Sequence, residues 1–172
     1  MSVSLQYVSM VLVLIIVSTS TAFTQGQKSR QAGVTFSTLH GTGAHFLFPY
    51  TDKSNMKVSG LVLLNKGNGG SDSFVSIGGE YQRDVSEGTL HRLYTSIGGQ
   101  VDNSLSGSVF FGEDITDVIY GSYGLSIGAD YGNIRGGFVV NVHLTFQRTV
   151  GIFGSDRSRI GFGGGLGMAY LF

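Results

Sequence analysis

From about residue 33 onward the chain alternates large apolar residues with small or polar ones, with a period of two. Successive strand side chains point to opposite faces, so this pattern predicts strands with one apolar and one polar face. The last fourteen residues show it best. Ile160, Phe162, Gly164, Leu166, Met168, Tyr170 and Phe172 form one row, and Arg159, Gly161, Gly163, Gly165, Gly167, Ala169 and Leu171 form the other. One face is large and apolar, the other nearly bare. Such a strand left open at a sheet edge would template aggregation. A barrel closed on itself, with its apolar face in acyl chains, removes that hazard.

Seven further segments alternate in the same way. They are Gly33 to His40, Ala44 to Phe48, Lys57 to Asn65, Phe74 to Arg83, Leu90 to Val101, Val118 to Asp130 and Gly137 to Gln147. The third is the least clean, because Leu61 and Leu63 share a face with Lys57 and Ser59. A bilayer crossing takes roughly 9–11 residues of strand, which the later five segments supply. No helical period of useful length interrupts them. The pattern predicts an all-β fold: an eight-stranded antiparallel up-and-down transmembrane β-barrel.

Polarity decides which face is inside. A soluble barrel lines its interior with apolar residues and turns charge to water; a membrane barrel is inverted. The polar rows here hold Ser, Thr, Asn, Gln, Gly and Tyr. Charge gathers between segments, at Asp52, Lys53, Lys66, Asp72, Asp84, Glu87, Asp102, Asp156 and Arg157. The apolar rows carry no mid-strand charge, so they are expected to face lipid. The runner-up is a soluble secreted, lipocalin-like barrel that binds a small apolar ligand.

Hairpin turns can be proposed from the same rows. A turn centred on Ser86 sets Val75 opposite Ile97, Ile77 opposite Thr95, and Glu80 opposite Arg92, an ion pair inside the lumen. A Gly132-Asn133 turn sets Ile127 by Phe138, Leu125 by Val140 and Asp130 by Arg135. With the first residue on the periplasmic side, the external connections are Gly41 to Gly43, Lys66 to Ser73, Asp102 to Asp117 and Arg148 to Arg157. Asp102 to Asp117 is the longest. Its Val109, Phe110, Phe111, Glu113 and Asp114 are candidate contacts for a surface ligand.

The first 27 residues carry no charge, and Ser9 to Val17 is an apolar run too short to span a bilayer. Small residues follow it to Ala22. This is the pattern of a cleavable signal peptide over residues 1–22. Residues 23–32 then form a short N-terminal segment and 33–172 the barrel; the roughly 150 residues after the leader make one domain.

Composition narrows the chemistry. Eleven basic and eleven acidic residues balance, which excludes a phosphate-binding basic excess and hence nucleic acid as a partner. The chain has no cysteine, so it has no disulfide framework, thiolate metal site or cysteine nucleophile. Its single proline, Pro49, suits long hydrogen-bonded strands.

Candidate chemistry is sparse. His40 and His45 flank a proposed turn without a third ligand at metal spacing, and read as polar rim or lumen residues. His143 is expected to face the lumen beside Asn141 and Thr145, near Ser122 or Ser126. An orienting carboxylate is lacking except Asp130 at the far end. A lipid-modifying enzyme is therefore the weakest reading. The glycines from Gly161 to Gly167 alternate within a strand and lack the helix and lysine of a phosphate loop. A smooth wall that makes room for Tyr94, Tyr120 and the Glu80–Arg92 pair explains them. No metal and no cofactor are expected.

The leader, the eight alternating segments and the terminal Gly-Leu-Gly-Met-Ala-Tyr-Leu-Phe172 resemble the small bacterial outer-membrane β-barrel proteins, of the kind represented by outer-membrane proteins A and X. The resemblance implies a Gram-negative outer membrane, with its lipid and lipopolysaccharide as surroundings. It also implies that Phe172, Tyr170, Met168 and Leu166 are recognised by the barrel-assembly machinery. That family is functionally mixed. The expected role is structural or surface interaction of an adhesion-like kind, non-enzymatic, with a packed lumen rather than an open pore.

Overall fold

The computed structural model describes residues 30–67, 70–104, 118–134, 136–153 and 158–172. They form eight strands: β1 (Gln31–Ser37), β2 (Gly43–Thr51), β3 (Ser54–Gly67), β4 (Gly70–Glu87), β5 (His91–Ser104), β6 (Val118–Gly132), β7 (Gly137–Phe153) and β8 (Ser158–Leu171). Each pairs antiparallel with the next, and β8 closes on β1. The expected all-β barrel is what forms.

Several boundaries move. β1 starts at Gln31, inside the segment expected to precede the barrel. The ladder of β3 and β4 continues to Gly67 opposite Gly70, so most of the expected Lys66 to Ser73 connection is strand. Likewise β7 runs on through Arg148 to Phe153. β2 passes through Pro49, at a shift in its register with β3, where a missing N–H is tolerated. A second shift lies between Asp84 and Ser86, at the end of β4.

Outward and inward rows follow the sequence closely. On β7, Phe138, Val140, Val142, Leu144 and Phe146 are exposed, while Val139, Asn141, His143 and Thr145 are buried. On β5, Leu93, Ile97 and Val101 point out while Arg92, Tyr94 and Ser96 are buried. Phe162 on β8 is 88% exposed. Tyr50, Tyr81, Tyr131 and Tyr170 sit on the outward rows toward the end that holds the start of β1 and the close of β8. From Phe138 to the outward Arg148 is ten residues along β7. With typical strand rise and barrel tilt this band is roughly 25 Å tall, the height of a bilayer's hydrocarbon. Among the described residues, charge on these outward rows falls toward the strand ends, at Arg83 near the close of β4 and at Arg148.

The two ends of the barrel differ. At the near end, where β1 starts and β8 finishes, Ile134, Val139, Ala169 and Leu171 pack into an apolar cluster inside the wall. At the far end the strands are unequal. β1 and β2 stop at Ser37 and Gly43, while β3 continues past Gly60 and β8 begins six residues before Gly164. Six strands therefore outrun the β1–β2 pair.

Candidate functional site in the lumen

The inward rows bring together almost every buried charge. Arg92, from β5, lies between two carboxylates: its Nε is 3.1 Å from Asp84 Oδ1 and its Nη1 3.0 Å from Asp130 Oδ2. It also donates to Gln82 Oε1, and its guanidinium sits 4.7 Å from the centre of the Tyr94 ring. Asn55 Nδ2 donates to Asp84, and Gln31 Nε2 and Asn141 Nδ2 donate to Asp130. Glu80 belongs to a second cluster. Its Oε2 is 3.2 Å from His40 Nδ1 and 3.6 Å from Lys57 Nζ.

The expected Glu80–Arg92 pair is thus replaced. Both residues are inside, as their rows require, but each has other partners. The reason is register. β4 and β5 pair Tyr81 with Ile97 and Ile77 with Val101, six residues away from the expected alignment. Glu80 then faces Gly98, and Arg92 faces Glu87. The β6–β7 hairpin slips by the same amount. Leu125 pairs with Phe146, Ile127 with Leu144 and Asp130 with Asn141, while Arg135 lies outside the described residues. An even slip leaves every side chain on its proper face.

The connection of β1 to β2, residues 38–42, turns into the lumen rather than away from it. Leu39 and His40 are fully buried. Gly41, at φ 85°, gives the bend, and its N–H donates to Gln100 Oε1 at 2.6 Å. Thr42 N–H donates to Ser76 Oγ, and Ser59 Oγ donates to the His40 carbonyl. Thr38 exchanges backbone and side-chain bonds with Gly164 and reaches Gln147. Glycines on the wall make this fit. A Cβ at Gly78 would strike the His40 carbonyl, one at Gly98 its ring, and one at Gly163 the Thr38 hydroxyl.

His143 holds the root of this plug. Its Nε2 is 2.9 Å from Ser37 Oγ and its Nδ1 is 3.1 Å from Asn141 Oδ1. Asn141 Nδ2 is committed to Asp130 and to Tyr94 Oη, so the amide oxygen must face His143. Nδ1 then carries the proton and Nε2 accepts from the Ser37 hydroxyl. The expected serines are engaged elsewhere: Ser122 with Thr149, and Ser126 with Ser96. Ser37, His143 and Asn141 have the connectivity of a nucleophile, base and orienter. However, Ser37 Oγ also accepts the N–H groups of Leu39 and His40 at 3.2 and 3.0 Å. Both lone pairs are used and the plug covers the oxygen, so this serine fastens a loop.

The glycine row of β8 serves different neighbours from those expected. Gly165 gives way to the His143 ring and Gly163 to Thr38; Tyr94 lies instead over Gly128 of β6. His40 and His45 are both buried in the lumen rather than at its rim, and the His40 ring lies 4.9 Å from that of His143. No group of three His, Cys, Asp or Glu side chains among the described residues could hold a metal ion. Leu166, Met168, Tyr170 and Phe172 lie together on the outward row, with Tyr170 against Phe138 and Phe172 near Phe46. Val109, Phe110, Phe111, Glu113 and Asp114 lie outside the described residues.

Lys57, Ser37 and the inward loop were the residues that sequence reasoning missed. A usable signal did exist: Leu39 falls on the polar row, and Gly41 and Gly43 bracket the bend.

No family model matches the sequence, and no curated protein matches it. Two solved barrels are similar in structure. The N-terminal β-barrel domain of Pseudomonas aeruginosa OprF is 17% identical, with 86% of this chain and 100% of that chain covered and a TM-score of 0.49. The Yersinia pestis outer membrane protein Ail, in a phospholipid bilayer nanodisc, is 15% identical over 86% of this chain and 100% of that chain, with a TM-score of 0.45.

Proposed function

We propose that this chain is an outer-membrane β-barrel protein with a closed lumen and a non-enzymatic role, structural or in contacts made at the cell surface. The observation that carries the reading is the polarity of the wall. A band of outward Phe, Tyr, Leu, Ile and Val, with charge only toward the strand ends, surrounds an interior of paired charges and hydroxyls. In water such a surface would aggregate, whereas in acyl chains it is the stable arrangement. The interior has the wrong character for a lipocalin-like barrel, whose ligand cavity is apolar. An open pore is disfavoured by the plug, the Arg92 cluster and the apolar near end, stacked along one axis.

In this reading residues 1–22 direct export, and lipid and lipopolysaccharide surround the belt. Leu166, Met168, Tyr170 and Phe172 are the signal taken by the barrel-assembly machinery. Surface contacts fall to the far end, where six strands project beyond β1 and β2 and Ile152 and Phe153 are exposed. Val109, Phe110, Phe111, Glu113 and Asp114, in the sequence between the end of β5 and the start of β6, are the proposed contacts.

Fractionation and gel migration test the proposal together. The protein should require detergent for extraction from membranes, and unheated samples should migrate differently from boiled ones because the closed barrel resists detergent unfolding. Recovery in the aqueous fraction without detergent refutes it.

A further inference from the structure

The plug is fastened by a hydrogen-bond chain that runs in one direction only. Asp130 accepts from Asn141, Asn141 Oδ1 accepts from His143 Nδ1, and His143 Nε2 accepts from Ser37. Ser37 Oγ in turn accepts from the amides of Leu39 and His40, which begin the inward turn. We propose that the Ser37–His143 contact is an acid-released latch: a proton on His143 Nε2 undoes it and frees residues 38–42 from the lumen.

The valence of the Ser37 oxygen sets the outcome. A proton on Nε2 turns the ring nitrogen from acceptor into donor. Ser37 Oγ would then meet three donors with two lone pairs, both already taken by plug amides. One of the three contacts must break, and the hydroxyl proton loses its acceptor. Nδ1 cannot take up the change, because Asn141 is fixed by Asp130 and Tyr94.

Charge works in the same direction at the plug itself. His40 lies ring to ring with His143 at 4.9 Å, so positive charge on either ring opposes charge on the other. The charged groups that act on His143 from the surrounding wall are Lys57 on β3, Glu80 on β4 and Asp130 on β6, and Tyr94 on β5 bonds its neighbour Asn141. Glu80 already faces Lys57 and His40, and Asp130 already faces Arg92. Neither anion is free to absorb a new cation without loosening a present pair. Leaving the lumen relieves the plug of both conflicts, and the far end is where β1 and β2 are shorter than their neighbours.

The absence of cysteine makes the test direct. Leu39→Cys places one thiol in the plug, and Lys53→Cys places one at an exposed connection as a reference for reagent reactivity. The full chain, folded in detergent micelles, is treated with a polar maleimide from pH 7.5 to pH 4.5. Normalised to Lys53→Cys, labelling of Leu39→Cys should rise at least tenfold in acid. With Ser37→Ala added it should be fast at pH 7.5 and gain no more in acid. With His143→Gln added, whose amide oxygen can accept without titrating, the acid rise should disappear. A flat profile for Leu39→Cys overturns the proposal, as does an undiminished rise with His143→Gln. Ser126→Cys, on the wall, must stay slow in acid. An equal rise there means that the barrel opens as a whole, which also overturns it. None of these outcomes depends on the surface role or on the location in the cell.

Discussion

Arg92 is the residue on which most of the lumen converges. Asp84 and Asp130 are both buried, and Arg92 lies between them with Tyr94 under its guanidinium. Two buried carboxylates without a cation repel each other and remain dehydrated. Arg92→Leu should therefore destabilise the barrel by about 3–5 kcal/mol, the scale for breaking a buried pair from one side. The urea midpoint in micelles reads the loss. Adding Asp84→Asn and Asp130→Asn to the same chain should recover most of it, since the penalty is uncompensated charge rather than lost packing. The sequence placed Glu80 and Arg92 inside but matched them to each other. A row says which face a side chain occupies; partners depend on register, and several registers keep the same faces.

The strands show where that limit lies. Alternation specified eight elements and nearly every inward and outward position, because a slip by one residue would turn the apolar row into the lumen. Slips by two, four or six cost nothing in that respect. At β6–β7 the tight Gly132-Asn133 turn gives way to a wider one, with Gly132, Gly136 and Gly137 all at positive φ and Ile134 folded inward. What favours this alignment is contact between strands far apart in sequence, such as Ile134 against Ala169 and Leu171. Local turn chemistry does not encode those contacts. The inward plug was hidden for a related reason: residues 38–42 show no period, and their bonds go to β3, β4, β5, β7 and β8. The faces themselves yield a sharp prediction. Ile127→Arg, on the outward row within the apolar band, should cost roughly 2–4 kcal/mol in a bilayer. Phe153→Arg, beyond the level of Arg148, should cost about 0–1 kcal/mol. Unfolding titrations of protein reconstituted in phospholipid measure both. Equal, small effects would mean that water rather than lipid meets this face.

For the molecule as a whole, assembly can be separated from stability. Phe172 closes the outward row, and its backbone N–H and carbonyl each bond to Arg30 at 3.0 Å. If the terminal row is read by assembly machinery, deleting Phe172 should lower the amount inserted in cells several-fold while the purified chain still refolds in micelles. Equal losses in both assays would assign Phe172 to packing alone. The closure itself is uneven. β1 has seven residues, against fourteen to eighteen in β3 through β8, and it joins β8 to β2. A cask is no tighter than its shortest stave. Amide protons of β1 should therefore be the first in the wall to exchange with deuterium, and those of β5 to β7 the last, because the free energy of local opening follows the bonds that must part together. The loop that fills the lumen is rooted in that same strand, so the least anchored stave is also the one pinned from within.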